Sequence, residues 1–317
     1  MERDSRIYIA GHAGLVGSAI VRALQAGGYK NLITRSHAEL DLRDGRAVET
    51  FFEKEKPEYV FDAAAKVGGI VANNTLPADF IYQNLAIQNN VIYSCYKFGV
   101  KKMVFLGSSC VYPKDAPQPM REEYLLTGPF EPTNKAYAVA KVAGITMCQS
   151  FNKQYGTKFV SVMPSNTYGP NDHYDLQMAH VLPAFIRKFF EAKTQKKEEV
   201  LNWGTGAPLR EFIHVDDVAS GCVFLMEHDA EYDLFNLGSE VEISIKELAE
   251  LIKKISGYEG RLVWDAAKPD GMMRKVMNMD RLHSMGWKNK IGLEEGIRSA
   301  YEWYASHYDG ITGEKIA

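Results

Sequence analysis

The stretch YIAGHAGLVGSAI, residues 8–20, joins a short apolar run to an amphipathic pattern through three glycines. Residues 6–10 predict a strand, residues 15–26 predict a helix, and the turn between them carries the spacing GxxGxxG. Glycine lets the backbone approach a pyrophosphate, whose charge the amides at a helix N-terminus stabilise. The spacing alone is weak, because turns are often rich in glycine. Its position after the first strand of a βαβ series predicts a dinucleotide site.

Strand-like and helix-like segments alternate through the first half of the chain. Besides the first βα pair, strands are predicted at 31–34, 59–61, 102–106 and 158–163, and helices at roughly 46–56, 78–98 and 134–155. Repeated βα units predict a doubly wound parallel sheet of the Rossmann type, with a smaller C-terminal α/β part after Pro170. We expect two interleaved domains. The predicted NADP-binding domain comprises 1–170 and about 211–240, and the predicted substrate domain comprises 171–210 and 241–317.

Composition and charge restrict the class of protein. The chain has 317 residues, of which 46% are hydrophobic and 24% charged, and its net charge of −3 offers no basic excess for nucleic acid or an anionic membrane. The charged start MERDSRIYIAG predicts no signal peptide, and no apolar run is long enough to span a membrane. Four scattered cysteines without CxxC spacing predict neither a metal site nor a disulfide framework. The expected location is the cytoplasm.

The end of the second predicted strand bears on the choice of cofactor. NAD-binding folds usually carry an acidic residue there, which holds the ribose diol. This chain has Arg35, Ser36 and His37 instead. A cation in place of an acid favours the 2′-phosphate of NADP, so we predict NADP(H) as the cofactor. The alternative is that Arg35 is a solvated surface charge.

The segment EPTNKAYAVAKVAGI places Tyr137 and Lys141 four residues apart, on one face of a predicted helix. An unperturbed tyrosine has a pKa of ~10, which a nearby ammonium lowers. Such a pair can give a proton to a carbonyl oxygen as hydride arrives. Most YxxxK sequences on helices are structural. The glycine turn upstream and Ser108 at a predicted strand end favour the catalytic interpretation.

This combination resembles the extended short-chain dehydrogenase/reductase superfamily, whose members act on nucleotide sugars. The resemblance covers nearly the full chain and rests on the segments AGHAGLVGSAI, AAAKVGGI, LGSSCVYPK, EPTNKAYAVAK, VMPSNTYGP, HVLPAFIRKF, WGTGAPLREFIHVDD and KPDGMMRK. It implies that the Ser108 hydroxyl hydrogen-bonds the substrate carbonyl beside Tyr137. It also implies that Lys141 holds the nicotinamide ribose.

The residue two after that serine distinguishes chemistries within the superfamily. Sugar 4,6-dehydratases carry a glutamate base there and 4-epimerases a small or hydroxylic residue, whereas this chain has Cys110. A thiolate is a competent base for a proton next to a carbonyl. The chain resembles members that epimerise carbons 3 and 5 of a GDP-4-keto-6-deoxyhexose and then reduce carbon 4, which implies Cys110 as base and His180 as acid. Without that resemblance, core packing explains the cysteine, and helix capping or a surface role explains the histidine.

The resemblance also implies the binding residues. Those expected to bind the cofactor are Gly11, His12, Ala13, Gly14, Leu15, Val16, Gly17, Arg35, His37, Ala38, Glu39, Leu40, Asp41, Leu42, Leu106, Gly107, Ser108, Ser109, Lys141, Pro164, Ser165, Asn166, Thr167 and His180. Those expected to bind the GDP-sugar are Lys188, Trp203, Arg210 and Asp270. Bacterial relatives often carry Arg where this chain has Ala13 and His37, which leaves Arg35 as the cation expected at the 2′-phosphate.

Two alternative functions stay open at this point. One is a reductase or epimerase-reductase of a related GDP-4-keto deoxyhexose or heptose, and the other is a non-catalytic NADP(H)-binding regulator. Intact Ser108, Tyr137 and Lys141 favour an enzyme. The superfamily also implies a homodimer built from the helices at 78–98 and 134–155. Apolar residues lie on several sides of those helices: Ile81, Leu85, Ile92, Val139, Val142, Ile145 and Met147.

Overall fold

The computed structural model describes residues 1–268 and 270–316, so Pro269 of the KPDGMMRK segment and Ala317 of the predicted substrate domain lie outside the described residues. The strands are β1 Ile7–Ala10, β2 Leu32–Ile33, β3 Tyr59–Asp62, β4 Lys102–Leu106, β5 Phe159–Pro164, β6 Asn166–Tyr168, β7 Glu199–Trp203, β8 Leu209–His214, β9 Leu234–Leu237, β10 Glu242–Ser244, β11 Arg261–Asp265 and β12 Arg274–Lys275. The helices are α1 Leu15–Ala26, α2 Gly45–Glu55, α3 Ile70–Thr75, α4 Pro77–Lys97, α5 Lys135–Tyr155, α6 Val181–Thr194, α7 Val215–Glu227, α8 Ile245–Ser256, α9 Asp280–Ser284 and α10 Leu293–His307.

Six parallel strands form the main sheet in the order β2-β1-β3-β4-β5-β9. The order reverses between β1 and β3, so right-handed crossovers put helices on both faces. In agreement, α1 packs beside α7 and α4 packs beside α5. Covered on both faces, β1 and β4 are buried along their whole length. The predicted doubly wound α/β class is confirmed.

Most predicted boundaries lie within one or two residues of the observed ones. The largest relative difference is at the second strand, where only Leu32–Ile33 of the predicted 31–34 are in the sheet. This strand lies at the sheet edge, and among the described residues it pairs with β1 alone. An edge strand has one neighbour to hold its backbone, so pairing ends early.

The glycine turn between β1 and α1 is required by close backbone contacts. Gly11 has a φ of +75°, and a Cβ there would lie 2.7 Å from the carbonyl oxygen of Ala63. A Cβ on Gly17 would lie 2.1 Å from the carbonyl oxygen of Gly11. Gly14, the N-cap of α1, is different, because a Cβ there would meet only Gly11 O, at 3.4 Å. Gly11 and Gly17 therefore fix the turn, while Gly14 leaves the approach to the helix N-terminus open.

The C-terminal part builds two smaller sheets. Strand β8 pairs antiparallel with β10 and parallel with β6 and β12. Strand β11 pairs parallel with β7. Helix α6 packs on α8, and both contact α10. This arrangement brings short strands from three distant parts of the chain to β8.

Two hydrophobic clusters hold the molecule together, one around the six-stranded sheet and one among α6, α8 and α10. Within residues 241–317, the side chains of Met277, Met279, Leu282 and Trp287 pack in the first cluster. The division into an NADP-binding and a substrate domain stays a prediction. In the described ranges, no helix combines the length and apolar character needed to cross a membrane.

Candidate active site

The expected cofactor residues gather where parallel strands end. β1 leads into the glycine turn, β4 into Gly107–Ser109 and β5 into Ser165. The Gly107 N–H donates to Val162 O at 2.8 Å, and the Ser165 N–H donates to Leu237 O at 2.9 Å. Loops after the carboxyl ends of parallel strands line one edge of a sheet, next to the reversal of strand order. This edge is the usual place for a dinucleotide.

The residues at that edge fit a dinucleotide phosphate. Helix α1 begins at Gly14 without a side-chain cap, so backbone amides of its first turn are available to an anion. At Gly14 itself a Cβ would come no closer than 3.4 Å to its nearest neighbour, Gly11 O, so there is space beside the helix N-terminus. Ser165 supplies a buried hydroxyl that has no partner within the described part of the chain. These features match the binding of NADP(H) through its pyrophosphate.

A short turn after β4 carries the predicted serine and cysteine. Ser108 begins a single 3-10 turn, Ser109–Val111, and its hydroxyl accepts the Cys110 N–H at 3.2 Å. Cys110 is partly exposed, whereas Cys95, Cys148 and Cys222 are buried. Core packing therefore accounts for the other three thiols better than for Cys110. The turn holds the serine hydroxyl and the thiol close together.

Lys141 connects helix α5 to the end of β4. Its side chain is buried, and its Nζ donates to Leu106 O at 2.7 Å and lies 4.7 Å from the centre of the Phe105 ring. Burial lowers its pKa to about 8, because the interior disfavours the charged form. The hydrogen bond to Leu106 sets the position of α5 relative to the Ser108 turn.

Tyr137 lies one helical turn before that lysine and is partly exposed. Its pKa is raised, first by burial and second by the Cys110 thiol nearby, while Ser108 has a smaller opposite effect. The expectation that Lys141 lowers this pKa is not met in this structure. The reason is that burial dominates and that the ammonium of Lys141 is directed at Leu106 O.

His180 occupies the N-cap position of α6 and makes no side-chain capping hydrogen bond. The imidazole therefore does not cap the helix, but the residue is exposed, so a surface role stays open as its alternative explanation. Its pKa is lowered, mainly because surrounding protein disfavours the charged ring and also because the Lys275 ammonium is near. Lys275 Nζ in turn lies 3.7 Å from Cys110 Sγ. Lys275 is thus within hydrogen-bond distance of the thiol and near enough to the imidazole to lower its pKa.

Arg35 lies at the far end of the sheet edge, in an open cavity of about 440 Å³. Its guanidinium binds Glu55 of α2 at 2.6 Å and donates to Thr34 O at 2.7 Å. Arg46 and Lys54 also line this cavity. Glu39 and Asp44 line it as well, so the three cations exceed the lining acids by one. Arg35 is held by an acid that sequence analysis did not identify.

The other residues expected near the adenosine differ in accessibility. His37, Ala38 and Glu39 are exposed, and Glu39 accepts hydrogen bonds from the Ser36 N–H and hydroxyl. Those bonds lower the pKa of Glu39. Asp41 is bound by Arg43, while Leu40 and Leu42 are buried in the core. Leu40 and Leu42 are therefore expected to reach a ligand through backbone groups alone.

The four expected GDP-sugar residues lie on or beside strands β7 and β8. Trp203 ends β7 and Arg210 is in β8, while Lys188 and Asp270 form hydrogen bonds to residues near Trp203. Lys188 Nζ donates to Leu201 O at 3.0 Å, two residues before Trp203. Asp270 accepts the N–H and hydroxyl of Thr205, at 2.7 and 2.8 Å, two residues after Trp203.

Among these four residues, the two cations are partly desolvated and the tryptophan is exposed. Burial lowers the pKa of Arg210, and the nearby Asp270 partly offsets this. Burial also lowers the pKa of Lys188. Trp203 is 57% exposed, with Lys268 Nζ 5.6 Å from its ring centre. An open aromatic face and two desolvated cations suit a nucleotide with phosphates.

Two buried acids near the site escaped sequence analysis. Asp62 ends β3, is fully buried, and one of its carboxylate oxygens has no partner within residues 1–268 and 270–316. Burial raises its pKa to about 6, and Lys141 partly opposes this rise. Glu211 on β8 is also buried and accepts backbone N–H groups of Ser239, Glu240 and Met277. In both cases the sequence offered a signal, which was a carboxylate within or at the end of a largely apolar strand.

Comparison with known proteins agrees with this geometry. A sequence profile of the NAD dependent epimerase/dehydratase family matches residues 7–238. GDP-L-fucose synthase 1 of Arabidopsis thaliana is 56% identical over 303 residues, covering 96% of this chain and 94% of that protein. A solved GDP-6-OMe-4-keto-L-xylo-heptose reductase from C. jejuni is 40% identical, with a TM-score of 0.92 over 96% of this chain and 99% of its own. A GDP-L-fucose synthetase from Naegleria fowleri bound to NADP is 29% identical, with a TM-score of 0.89 over 97% and 96%.

The buried Asp62 predicts a specific pH dependence of stability. Its raised pKa means that the folded state holds the proton more tightly than the unfolded state. Stability therefore falls as the pH rises from about 3.9, the usual Asp value, towards 6. Asp62→Asn should increase the free energy of unfolding more at pH 7.5 than at pH 4.5, by about 1–2 kcal/mol.

Urea unfolding at both pH values measures this difference. Asp115→Asn, at an exposed position, is the matched control and should give the same small change at both. An Asp62→Asn variant that loses more stability at pH 7.5 than at pH 4.5 would contradict the assignment. It would show that attraction between Asp62 and Lys141 exceeds the cost of burying the carboxylate.

Proposed function

This chain belongs to the NAD dependent epimerase/dehydratase family, and from that premise we propose that it converts GDP-4-keto-6-deoxy-D-mannose to GDP-L-fucose. It is an NADP-dependent oxidoreductase and epimerase. The observation that carries the proposed reaction is the partly exposed Cys110 thiol beside Ser108 and Tyr137. A reductase acting only at carbon 4 needs the hydroxyls, whereas epimerisation also needs a carbon-acid base at this position.

Epimerisation assigns roles to the cysteine and histidine. The Cys110 thiolate removes the proton from a carbon next to the 4-keto group, and the electron pair moves to the carbonyl oxygen as an enolate. The hydroxyls of Ser108 and Tyr137 stabilise that oxygen by hydrogen bonds. Protonated His180 then returns a proton to the opposite face of the same carbon. The thiol loses its proton to solvent and the imidazole regains one, which restores the site for the second carbon.

Reduction at carbon 4 uses the tyrosine. When bound, NADPH supplies the hydride. Tyr137 donates its hydroxyl proton to the developing alkoxide, and Ser108 holds the same oxygen in position. The resulting phenolate regains its proton from solvent before the next turnover. Lys141 would hold the nicotinamide ribose, and its hydrogen bond to Leu106 O keeps α5 beside the Ser108 turn. We propose the same residues as the catalytic set identified above: Ser108, Cys110, Tyr137, Lys141 and His180.

The GDP part of the substrate is proposed to bind across the second sheet. Arg210 offers a planar guanidinium that can pair with a phosphate through two hydrogen bonds. Trp203 offers an open aromatic face for the base, and Lys188 adds a second cation. Asp270 holds the turn after Trp203 through Thr205. A cytoplasmic location stays part of this proposal.

A direct assay distinguishes this function from its alternatives. Purified protein is supplied with NADPH and GDP-4-keto-6-deoxy-D-mannose, consumption of NADPH is followed, and the product is identified by NMR. GDP-L-fucose is the expected product. A 4-reduced product with the original configuration at carbons 3 and 5 would indicate a reductase alone, as the name of the C. jejuni relative describes. Cofactor binding without turnover of any keto-sugar nucleotide would indicate a regulator.

Cys110→Ser should abolish exchange of the protons at carbons 3 and 5 with deuterated water. A serine hydroxyl is too weakly acidic to form a base at neutral pH, so the loss should be about 10²–10⁴-fold. Exchange is followed by NMR without NADPH, so that reduction does not interfere.

Two further variants serve as matched controls for that experiment. Tyr137→Phe should retain part of the exchange but lose reduction, because the alkoxide lacks its proton donor. His180→Asn should exchange deuterium yet give incomplete inversion. Exchange at the unmutated rate in Cys110→Ser would show that the cysteine only packs.

We expect Arg35 to account for a preference for NADPH over NADH. Charge-assisted hydrogen bonds to the 2′-phosphate are worth ~1.5–3 kcal/mol, so Arg35→Ala should reduce the affinity ratio by roughly tenfold or more. Fluorescence titration with both cofactors measures the ratio. Glu55→Gln is the matched control, since it frees the guanidinium from its acid and should leave or increase the preference. Equal affinities in the unmutated protein would refute the assignment.

The proposed homodimer uses helices α4 and α5. Of the apolar residues predicted to serve it, Ile92, Val142 and Ile145 are buried within the chain and fit the sheet side. The others are partly exposed and can face a partner: Ile81, Leu85, Val139 and Met147.

Light scattering should give twice the mass of the chain at micromolar concentration. Tyr82, on α4, is 72% exposed, and Tyr82→Glu should favour the monomer by placing charge in the interface. Ile311→Glu, equally exposed on the C-terminal segment, should not. A purely monomeric unmutated protein would contradict the dimer.

A further inference from the structure

Lys275 reaches the candidate base from the C-terminal part of the chain. Its Nζ donates to Cys110 Sγ across 3.7 Å, within the distance of a hydrogen bond to sulfur. The neighbouring cation, Arg274, is already neutralised by two hydrogen bonds to Glu242, at 2.7 and 2.6 Å. Lys275 is partly buried and Cys110 partly exposed, so the pair is incompletely screened by water.

The backbone that carries this lysine is held on both sides. Strand β12 pairs with β8, which places Lys275 opposite Arg210. The next N–H, of Val276, donates to Gln118 Oε1 at 2.9 Å, in the loop that follows the Cys110 turn. The N–H after that, of Met277, donates to the buried Glu211 at 2.8 Å. Lys275 is thus attached to a backbone segment that is held by strand pairing and hydrogen bonds.

Contact with a fixed ammonium favours the charged form of a thiol over its neutral form. We propose that Lys275 is a positioning residue that stabilises the Cys110 thiolate and so prepares it as the base. That the thiolate acts as a base rests on the proposed function. That Lys275 stabilises the thiolate does not depend on which sugar is bound.

The other titratable groups near the pair come from two helices. Tyr137 of α5 is close enough to Cys110 for the thiol to affect its ionisation. His180, at the N-cap position of α6, lies near Lys275 and His173, and both lower its pKa. The raised pKa of Tyr137 and the lowered pKa of His180 both favour the neutral side chain, which leaves the Lys275 ammonium as the charged group in contact with the sulfur. The same charge disfavours a second cation on His180, which helps the imidazole to release its proton to carbon.

The first test measures the thiol directly, without substrate. Neutral iodoacetamide is added at pH 7, and alkylation of the Cys110 peptide is followed by mass spectrometry, with the buried Cys95, Cys148 and Cys222 as internal controls. Lys275→Met and Lys275→Gln should each slow this reaction about tenfold and move the midpoint of its pH dependence up by about one unit. Lys275→Arg should restore it.

A matched control separates local from general charge effects. Lys114→Met removes an exposed lysine of the same loop, four residues after the thiol, and should leave Cys110 alkylation unchanged. Circular dichroism in the near ultraviolet checks that each variant is folded. Alkylation at the unmutated rate in folded Lys275→Met or Lys275→Gln would overturn the proposal.

The second test uses the proposed reaction. Deuterium exchange into GDP-4-keto-6-deoxy-D-mannose should be slow in Lys275→Met at pH 7 and should recover at higher pH, where the thiol ionises without help. A raised KM with unchanged alkylation would instead show that Lys275 binds the substrate, which also overturns the proposal. Should no GDP-sugar react at all, the proposed function fails while the alkylation result still decides the lysine's effect on the thiol.

Discussion

One hydrogen bond ties helix α5 to the sheet: Lys141 Nζ donates to Leu106 O at 2.7 Å. Leu106 is the last residue of β4, and the Ser108 turn follows immediately. Because Lys141 and Tyr137 lie on one face of α5, fixing the lysine also fixes the tyrosine relative to the serine and the thiol. A buried ammonium without such a partner would be costly. This hydrogen bond therefore gives the buried ammonium a partner and also fixes the position of α5 relative to the Ser108 turn.

Two buried acids, Glu211 and Asp62, lie close to the segments that carry Lys275 and Lys141. Glu211 has its pKa raised to about 7 by burial, and its carboxylate gathers backbone N–H groups from the loop after β9 and from the segment after β12. That segment carries Lys275 towards Cys110. Asp62, the last residue of β3, interacts with the charge of Lys141. A buried acid thus lies near each cation of the proposed site: Asp62 acts on Lys141, and Glu211 holds the backbone two residues after Lys275.

The two hydrophobic clusters meet at this site without a simple boundary. His180 begins α6 of the second cluster, while Cys110 and Tyr137 come from elements of the first. Residues 277–287 return to the first cluster, and this anchors the strand that carries Lys275. The proposed base and acid are therefore held by different cores. Residues that cross between the cores, such as Lys275, set the electrostatics that both experience.

The sequence by itself determined the α/β class and the order of βα units, and it supplied the serine, tyrosine, lysine, cysteine and histidine that are proposed for the site. The fold inference succeeds because helix and strand periodicity and the glycine turn are local properties of the chain. The catalytic roles of the five residues stay a proposal. The tertiary structure decided which charges face each residue. Glu55 reaches Arg35 across 20 residues and Lys275 reaches Cys110 across 165. Such contacts depend on strand pairing between distant segments, which no local pattern encodes. For the same reason the raised pKa of Tyr137 was not foreseen, since burial and the direction of the Lys141 ammonium exist only in the folded chain.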